Sequence, residues 1–289
     1  MRKAFTLIEF IFVIIIFGIL SAFGAELLYK VYENYVYSNT FNRLQNQSEV
    51  AVKQIANRLQ YRIKDSTIAR NTLGATAEPI GGTLGGTLGN ENVLEWIGTD
   101  IEGWRGRNDT SPDWSGFIDL NSPSTTSTQL HSLGTKPDST SGASGDRAIF
   151  FIGSNVDLNS NAFGWNGTAV TGQSGAMHPI KPIAAADIIE PKAGTNFVGI
   201  DVYEYYKLSA SAYAVELNTT TNNLTFYYNY QPWLGETASA NGSSALIMEN
   251  VDSFKFTSMG DILVIQVCVS DNNVTGVGEY AVCKEKVVF

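Results

Sequence analysis

MRKAFTLIEFIFVIIIFGIL, residues 1–20, is an apolar run with a single acid, Glu9, set near its start. From Phe5 to Ala25, Glu9 is the one strongly polar side chain. About 20 apolar residues at ~1.5 Å rise each cover the ~30 Å hydrocarbon layer, so the stretch is long enough to span a bilayer. Arg2 and Lys3 precede it, which by the positive-inside rule keeps the N-terminus cytoplasmic and puts the rest of the chain across the membrane. A secretory signal peptide needs a shorter apolar region, of ~7–15 residues, and a small-residue cleavage site, for which Ala22 and Gly24 in SAFGAE are the candidates. A plain anchor fits the length but gives Glu9 no reason to exist. An ionisable group in the membrane costs roughly 2.5–3.5 kcal/mol on insertion scales and seldom sits there without a partner.

The chain beyond the apolar run continues as a helix. From Leu27 to Ile68 there is no Gly or Pro, and Phe41, Leu44, Ala51, Ile55, Leu59 and Ile63 fall at helical steps on one stripe. A cleaved signal peptide has no reason to run straight into a further helix. Tyr29, Tyr32, Tyr35 and Tyr37 sit where the helix leaves the lipid and fit two readings equally, an interfacial aromatic belt or packing in a globular core.

KAFTLIEFIFVIIIFGIL closely resembles the N-terminal signature of type IV pilins and type II secretion pseudopilins. The resemblance covers roughly the first 25 residues and rests on the FTLIE element, the apolar run and Gly18-Ile19-Leu20. It implies that a prepilin peptidase cuts between Ala4 and Phe5, that the new N-terminus at Phe5 is methylated, and that Glu9 serves assembly. Ala4 stands where the family usually has glycine. The implied fold is α+β and pilin-like: a long N-terminal helix, membrane-spanning in its first half, packed on an antiparallel sheet with long loop insertions. The implied division is a leader at 1–4, a transmembrane segment at 5–25, an amphipathic continuation at 26–70 and a β-rich periplasmic domain at 71–289. The implied partners are the prepilin peptidase, other pilin or pseudopilin subunits and the inner-membrane assembly platform, with the chain single-pass in a bacterial inner membrane.

Composition agrees with an exported protein. Only 16% of the 289 residues are charged, and the formal charge of −9 argues against a nucleic-acid partner, because phosphate binding needs clustered Lys and Arg. Two histidines and two cysteines leave little from which to build a metal or nucleophile site. His131 and His178 both lie in loop-like sequence with no nucleophile motif nearby, so no enzymatic role is expected.

After the helix, GGTLGGTLG (residues 81–89) reads as a flexible loop, since a phosphate-cradling loop would end in Lys-Ser or Lys-Thr. Residues 93–104, 116–120 and 147–154 read as short strands or strand and turn; 121–145 and 155–175 read as irregular surface insertions. Residues 196–217 and 224–233 form an expected antiparallel hairpin across the polar turn NTTTNN, and 245–270 gives two strands split near Met259-Gly260. LIMENVDSFKF, within 246–256, resembles the late region of larger minor pseudopilins, which favours the minor class.

Cys268 and Cys283 lie in two strand-like stretches and fit the two arms of one hairpin. In an oxidising compartment a disulfide is the natural state, and C-terminal disulfide loops are common in the resembled family. A free pair or a metal site is the alternative, without a nearby His or CxxC to support it. Asp271, Asn273 and Glu279 offer oxygen ligands for calcium, but the EF-hand spacing is absent and Asp-Asn-Asn is also good turn chemistry. No other cofactor is expected. Asp100 and Glu102 form a carboxylate pair that reads as solvated strand ends. The expected function is a structural subunit of a pseudopilus or type IV pilus; the alternative is a pilin-like adhesin or DNA-uptake component that binds a ligand through its insertions.

Overall fold

The computed structural model describes residues 7–80, 91–107, 110–138, 147–154, 162–271 and 280–289. The glycine-rich loop at 81–89 lies outside them. The architecture is α+β. It begins with a helix α1, Leu7–Leu59, of 53 residues and therefore roughly 80 Å long. Its buried side chains begin only at Thr40 and recur as Leu44, Ser48, Ala51, Val52, Ile55, Ala56 and Leu59. That is the expected stripe with one exception: Phe41 stays 37% exposed.

The helix stops at Leu59 and does not continue to residue 70. The amide of Arg62 bonds the Leu59 carbonyl, its guanidinium bonds the same carbonyl at 3.0 Å, and the Ile63 amide leaves for the Ile97 carbonyl of a strand. The orphan carbonyls of the last turn are thus satisfied by a side chain, and the backbone is captured by a sheet. Ile63 keeps helical spacing in sequence but is buried from non-helical backbone.

Among the described residues fourteen strands and one short α-helix follow. In chain order they are β1 (Ile68–Arg70), β2 (Glu78–Pro79), β3 (Val93–Gly98), α2 (Ile101–Arg105), β4 (Leu130–His131), β5 (Ala148–Phe151), β6 (Met177–Pro179), β7 (Ile188–Ile189) and β8 (Tyr206–Ser209). Then come β9 (Ser211–Asn218), β10 (Asn223–Tyr230), β11 (Ser243–Met248), β12 (Val251–Met259), β13 (Ile262–Asp271) and β14 (Tyr280–Val288). A six-stranded antiparallel sheet has the order β11-β10-β9-β3-β1-β2, and a three-stranded antiparallel sheet has the order β12-β13-β14. The buried stripe of α1 joins one core with Leu94, Trp96, Val215 and Phe226 of the first sheet and Phe254, Phe256, Ile265 and Val267 of the second.

Several local expectations change. Residues 93–104 become β3 followed by the short helix α2, not a strand and turn. Residues 116–120 contribute only an isolated bridge, Phe117 to Tyr205. The 245–270 stretch holds one strand more than expected, because β11 ends at Met248 and Asn250 turns with a positive φ of 57°. The break at Met259-Gly260 is where it was expected. The hairpin β9–β10 pairs Asn218 with Asn223, and the Asn218 side chain accepts the amides of Thr220 and Thr221 within its turn.

The insertions are not mere surface decoration. Residues 121–145 supply Leu130, Ser132 and Thr135 to the interior, and 155–175 supply Phe163, Trp165 and Val170. A separate core gathers Trp114, Ile118, Leu130, Phe151, Ile189 and Tyr206, built on the small sheets β4-β7 and β6-β5-β8. These segments look polar because only every few residues points inward, and short two-residue strands leave no readable period.

Candidate assembly helix and disulfide hairpin

The first half of α1 has no protein cover. Ile8, Phe10, Phe12, Ile15, Phe17 and Phe23 are all more than half exposed, and no residue of the most apolar window is buried. Apolar surface on this scale is strongly unfavourable in water, at roughly 25 cal/mol per Å², and has to be covered by lipid or by other chains. Among the described residues this is the one helix long and apolar enough to cross a membrane.

Glu9 lies in the first described turn of α1, on its exposed surface. A carboxylate there complements the positive end of the helix macrodipole. Ala4 and Phe5, the expected cleavage and methylation positions, lie outside the described residues.

Between the apolar run and the first buried residue the helix is neither membrane-length apolar nor packed on the domain. Tyr29, Tyr32 and Tyr35 are each more than 60% exposed and Tyr37 is 45% exposed, which excludes their packing in the globular core. Tyr37 stacks along the helix, 6.1 Å from Phe41, and the Tyr29 hydroxyl is held above its ordinary pKa by its hydrogen bond to Glu33.

At the opposite end of the chain, Cys268 and Cys283 sit directly opposite each other in the β13–β14 ladder and are joined by a disulfide, with Cα atoms 4.0 Å apart. The close spacing is that of a non-hydrogen-bonded antiparallel pair, the position at which facing side chains approach most nearly. Leu263, Ile265, Val267 and Val269 alternate on the buried face towards α1, so the disulfide lies on the other face. Of the calcium candidates, Asn273 and Glu279 lie outside the described residues, and Asp271 is described only as the last residue of β13. Among the described residues no cluster of three or more His, Cys, Asp or Glu is placed to hold a metal ion.

Of the carboxylate pair, Glu102 is solvated as expected but lies in the first turn of α2, whereas Asp100 is not a solvated strand end. Asp100 is 8% exposed; it caps α2 by accepting the Gly103 amide at 3.1 Å and pairs with the Arg107 guanidinium at 2.5 Å. Nor are the histidines loop residues. His178 is central in β6, 4% exposed and packed on Phe151 and Phe197, and its burial pushes its pKa down to about 4. His131 lies in β4 with Asp119 at 3.9 Å.

One polar constellation was missed by sequence reasoning. Arg70 of β1 pairs with Glu95 of β3 at 2.8 Å, both side chains no more than 5% exposed. The Arg70 guanidinium also donates to the carbonyls of Ala75 and Trp165, the latter at 2.6 Å. Tyr230 of β10 lies beside the same carboxylate. Burial holds the Glu95 carboxyl above the usual carboxylate range despite Arg70, and burial followed by the neighbouring Glu95 raises the Tyr230 hydroxyl well above its own. The signal was present: Arg70 and Glu95 interrupt the apolar stretches TIAR and VLEW with opposite charges.

Comparison of the chain with protein-family models, with curated proteins and with solved structures finds no match.

Proposed function

We propose that the chain is a structural subunit of a type II secretion pseudopilus or a type IV pilus, of the minor class, assembled through its N-terminal helix. The observation that carries this reading is the division of α1. Its first half exposes a continuous apolar surface with Glu9 at its start, and its second half is packed on antiparallel sheets. Such a helix suits both membrane insertion and packing among other helices in a fibre.

Cleavage between Ala4 and Phe5 creates an amine at Phe5, four residues before Glu9. In a low-dielectric helix bundle an unpaired carboxylate is costly, and pairing it with the amine of a neighbouring subunit offsets that cost and sets the axial register. Glu9 is then an alignment device. In this reading the domain that α1 carries lies in the periplasm and the chain is single-pass in the inner membrane. The conspicuous insertions favour a minor subunit, since a major one must tile tightly along the fibre.

The test is Glu9→Ala expressed in cells that assemble the fibre. The variant should partition into membranes like the unaltered chain and be missing from sheared fibres. Incorporation at the normal level would sink the proposal.

A further inference from the structure

Beside the buried Arg70–Glu95 pair, a cavity of about 260 Å³ opens between the six-stranded sheet and the segments at 74–77, 165–166 and 236–237. We propose that this cavity binds a single neutral sugar ring. The inference goes beyond assembly, because none of the lining residues belongs to α1.

Size limits the ligand first. The volume falls just under the ~300–1,000 Å³ of sites for drug-sized ligands, which suits one ring and not a chain of them.

Charge limits it next. Among the described residues the walls carry one cation, Arg70, against two carboxylates, Glu95 and Glu236, which disfavours an anion. Arg70 is already held by Glu95 and by two carbonyls, so an incoming cation would have to compete with a guanidinium for Glu95. An apolar ligand would strand the carboxylates without water. A neutral polyhydroxylated ring suits all three conditions, because every hydroxyl both donates and accepts.

The wall offers both halves of that exchange. Glu95 and Glu236 accept, whereas Asn166 and Thr237 can do either. Arg70 spends one donor each on Glu95, Ala75 and Trp165, and a guanidinium has five. Tyr230 supplies the observation that points to a ligand. It is 1% exposed and lines the cavity, and its hydroxyl closes no hydrogen bond of good geometry with any described group, even with Glu95 alongside. A buried hydroxyl left so costs free energy that a ligand hydroxyl would recover.

The experiment is isothermal titration of the full chain in a zwitterionic detergent, so that no sugar headgroup competes. The probes are glucose, galactose, mannose and N-acetylglucosamine, with methylammonium chloride and inorganic phosphate as ionic counterparts. At least one sugar should bind saturably, and Tyr230→Phe should weaken it about tenfold or more, the scale of one buried hydrogen bond. Asn166→Ala, at the rim, should weaken it as well and serves if the Phe variant does not fold. The proposal is overturned if no sugar binds, if only methylammonium or phosphate binds, or if both variants bind like the unaltered chain. Fibre incorporation is read separately, so failure here leaves the assembly proposal standing.

Discussion

Removing the charge of Arg70 gives the sharpest test of how this domain is held together. Arg70→Met keeps an unbranched apolar stem but takes away three contacts at once: the ion pair to Glu95, and the hydrogen bonds to the Ala75 and Trp165 carbonyls. Breaking one partner of a buried pair typically costs 3–5 kcal/mol, because the other charge is left without compensation. That is a large share of the roughly 5–15 kcal/mol that stabilises an ordinary domain, yet it leaves the protein folded. The cost should also depend on pH. Burial already raises the Glu95 pKa in the folded state above its unfolded value of 4.5, and Arg70 is the main influence lowering it again. With Arg70 gone the folded pKa rises further. A carboxyl with a raised folded pKa gives stability that is fully present below the unfolded pKa and is lost as pH rises through the folded one. The gap between Arg70→Met and the unaltered chain should therefore widen from pH 5 to pH 8, by up to ~1.4 kcal/mol per pH unit over the affected range. Denaturant unfolding of the detergent-solubilised full chain, followed by tryptophan fluorescence, measures it. The double variant Arg70→Met/Glu95→Leu should regain most of the loss, since replacing a buried pair with apolar groups is often neutral. A gap below about 1 kcal/mol, or one unchanged between pH 5 and 8, would refute the account of Glu95 as a buried acid whose raised pKa Arg70 holds down.

Reduction of the Cys268–Cys283 disulfide, which spans a sequence separation of 15, should destabilise the chain by about 3 kcal/mol in the chain-entropy model. The shift of the unfolding midpoint with and without a thiol reductant measures it, and Cys268→Ser/Cys283→Ser should show no such shift. His178 adds a second pH effect of opposite sign. Its folded pKa of about 4 lies below the unfolded 6.5, so the stability it supports is intact above 6.5 and falls as pH drops towards 4, by about 3 kcal/mol in all. Subtracting the pH–stability curve of His178→Gln from that of the unaltered chain isolates this loss from the carboxylates, and identical slopes in the two curves would contradict it.

Legibility varied with the length of the local pattern. The α1 stripe could be read because helical spacing persists over several turns, and Leu44, Ala51, Ile55 and Leu59 are all buried as that spacing requires. The β13–β14 hairpin could be read because its valines and isoleucines alternate on either side of a polar connection. The end of the helix could not. No Gly or Pro marks residue 59; the stop comes from Arg62 folding back onto a carbonyl and from β3 taking the next amide. The Arg70–Glu95–Tyr230 cluster was equally hidden, since its members are far apart in sequence and meet only when β1, β3 and β10 join one sheet. Asp100 looked like a free acid because its partner Arg107 belongs to a turn that no periodic pattern announces.

By itself the sequence determined the order of the parts: an apolar helix with Glu9 at its start, a packed continuation, then antiparallel strands ending in a cystine hairpin. Those features follow from hydropathy and local spacing, which act between near neighbours along the chain. The tertiary structure decided where α1 ends, that the tyrosines stay outside the core, that the polar insertions have a core of their own, and that opposite charges are buried side by side. These are contacts between residues remote in the chain, and their free energies depend on what is desolvated together, which only the folded arrangement settles.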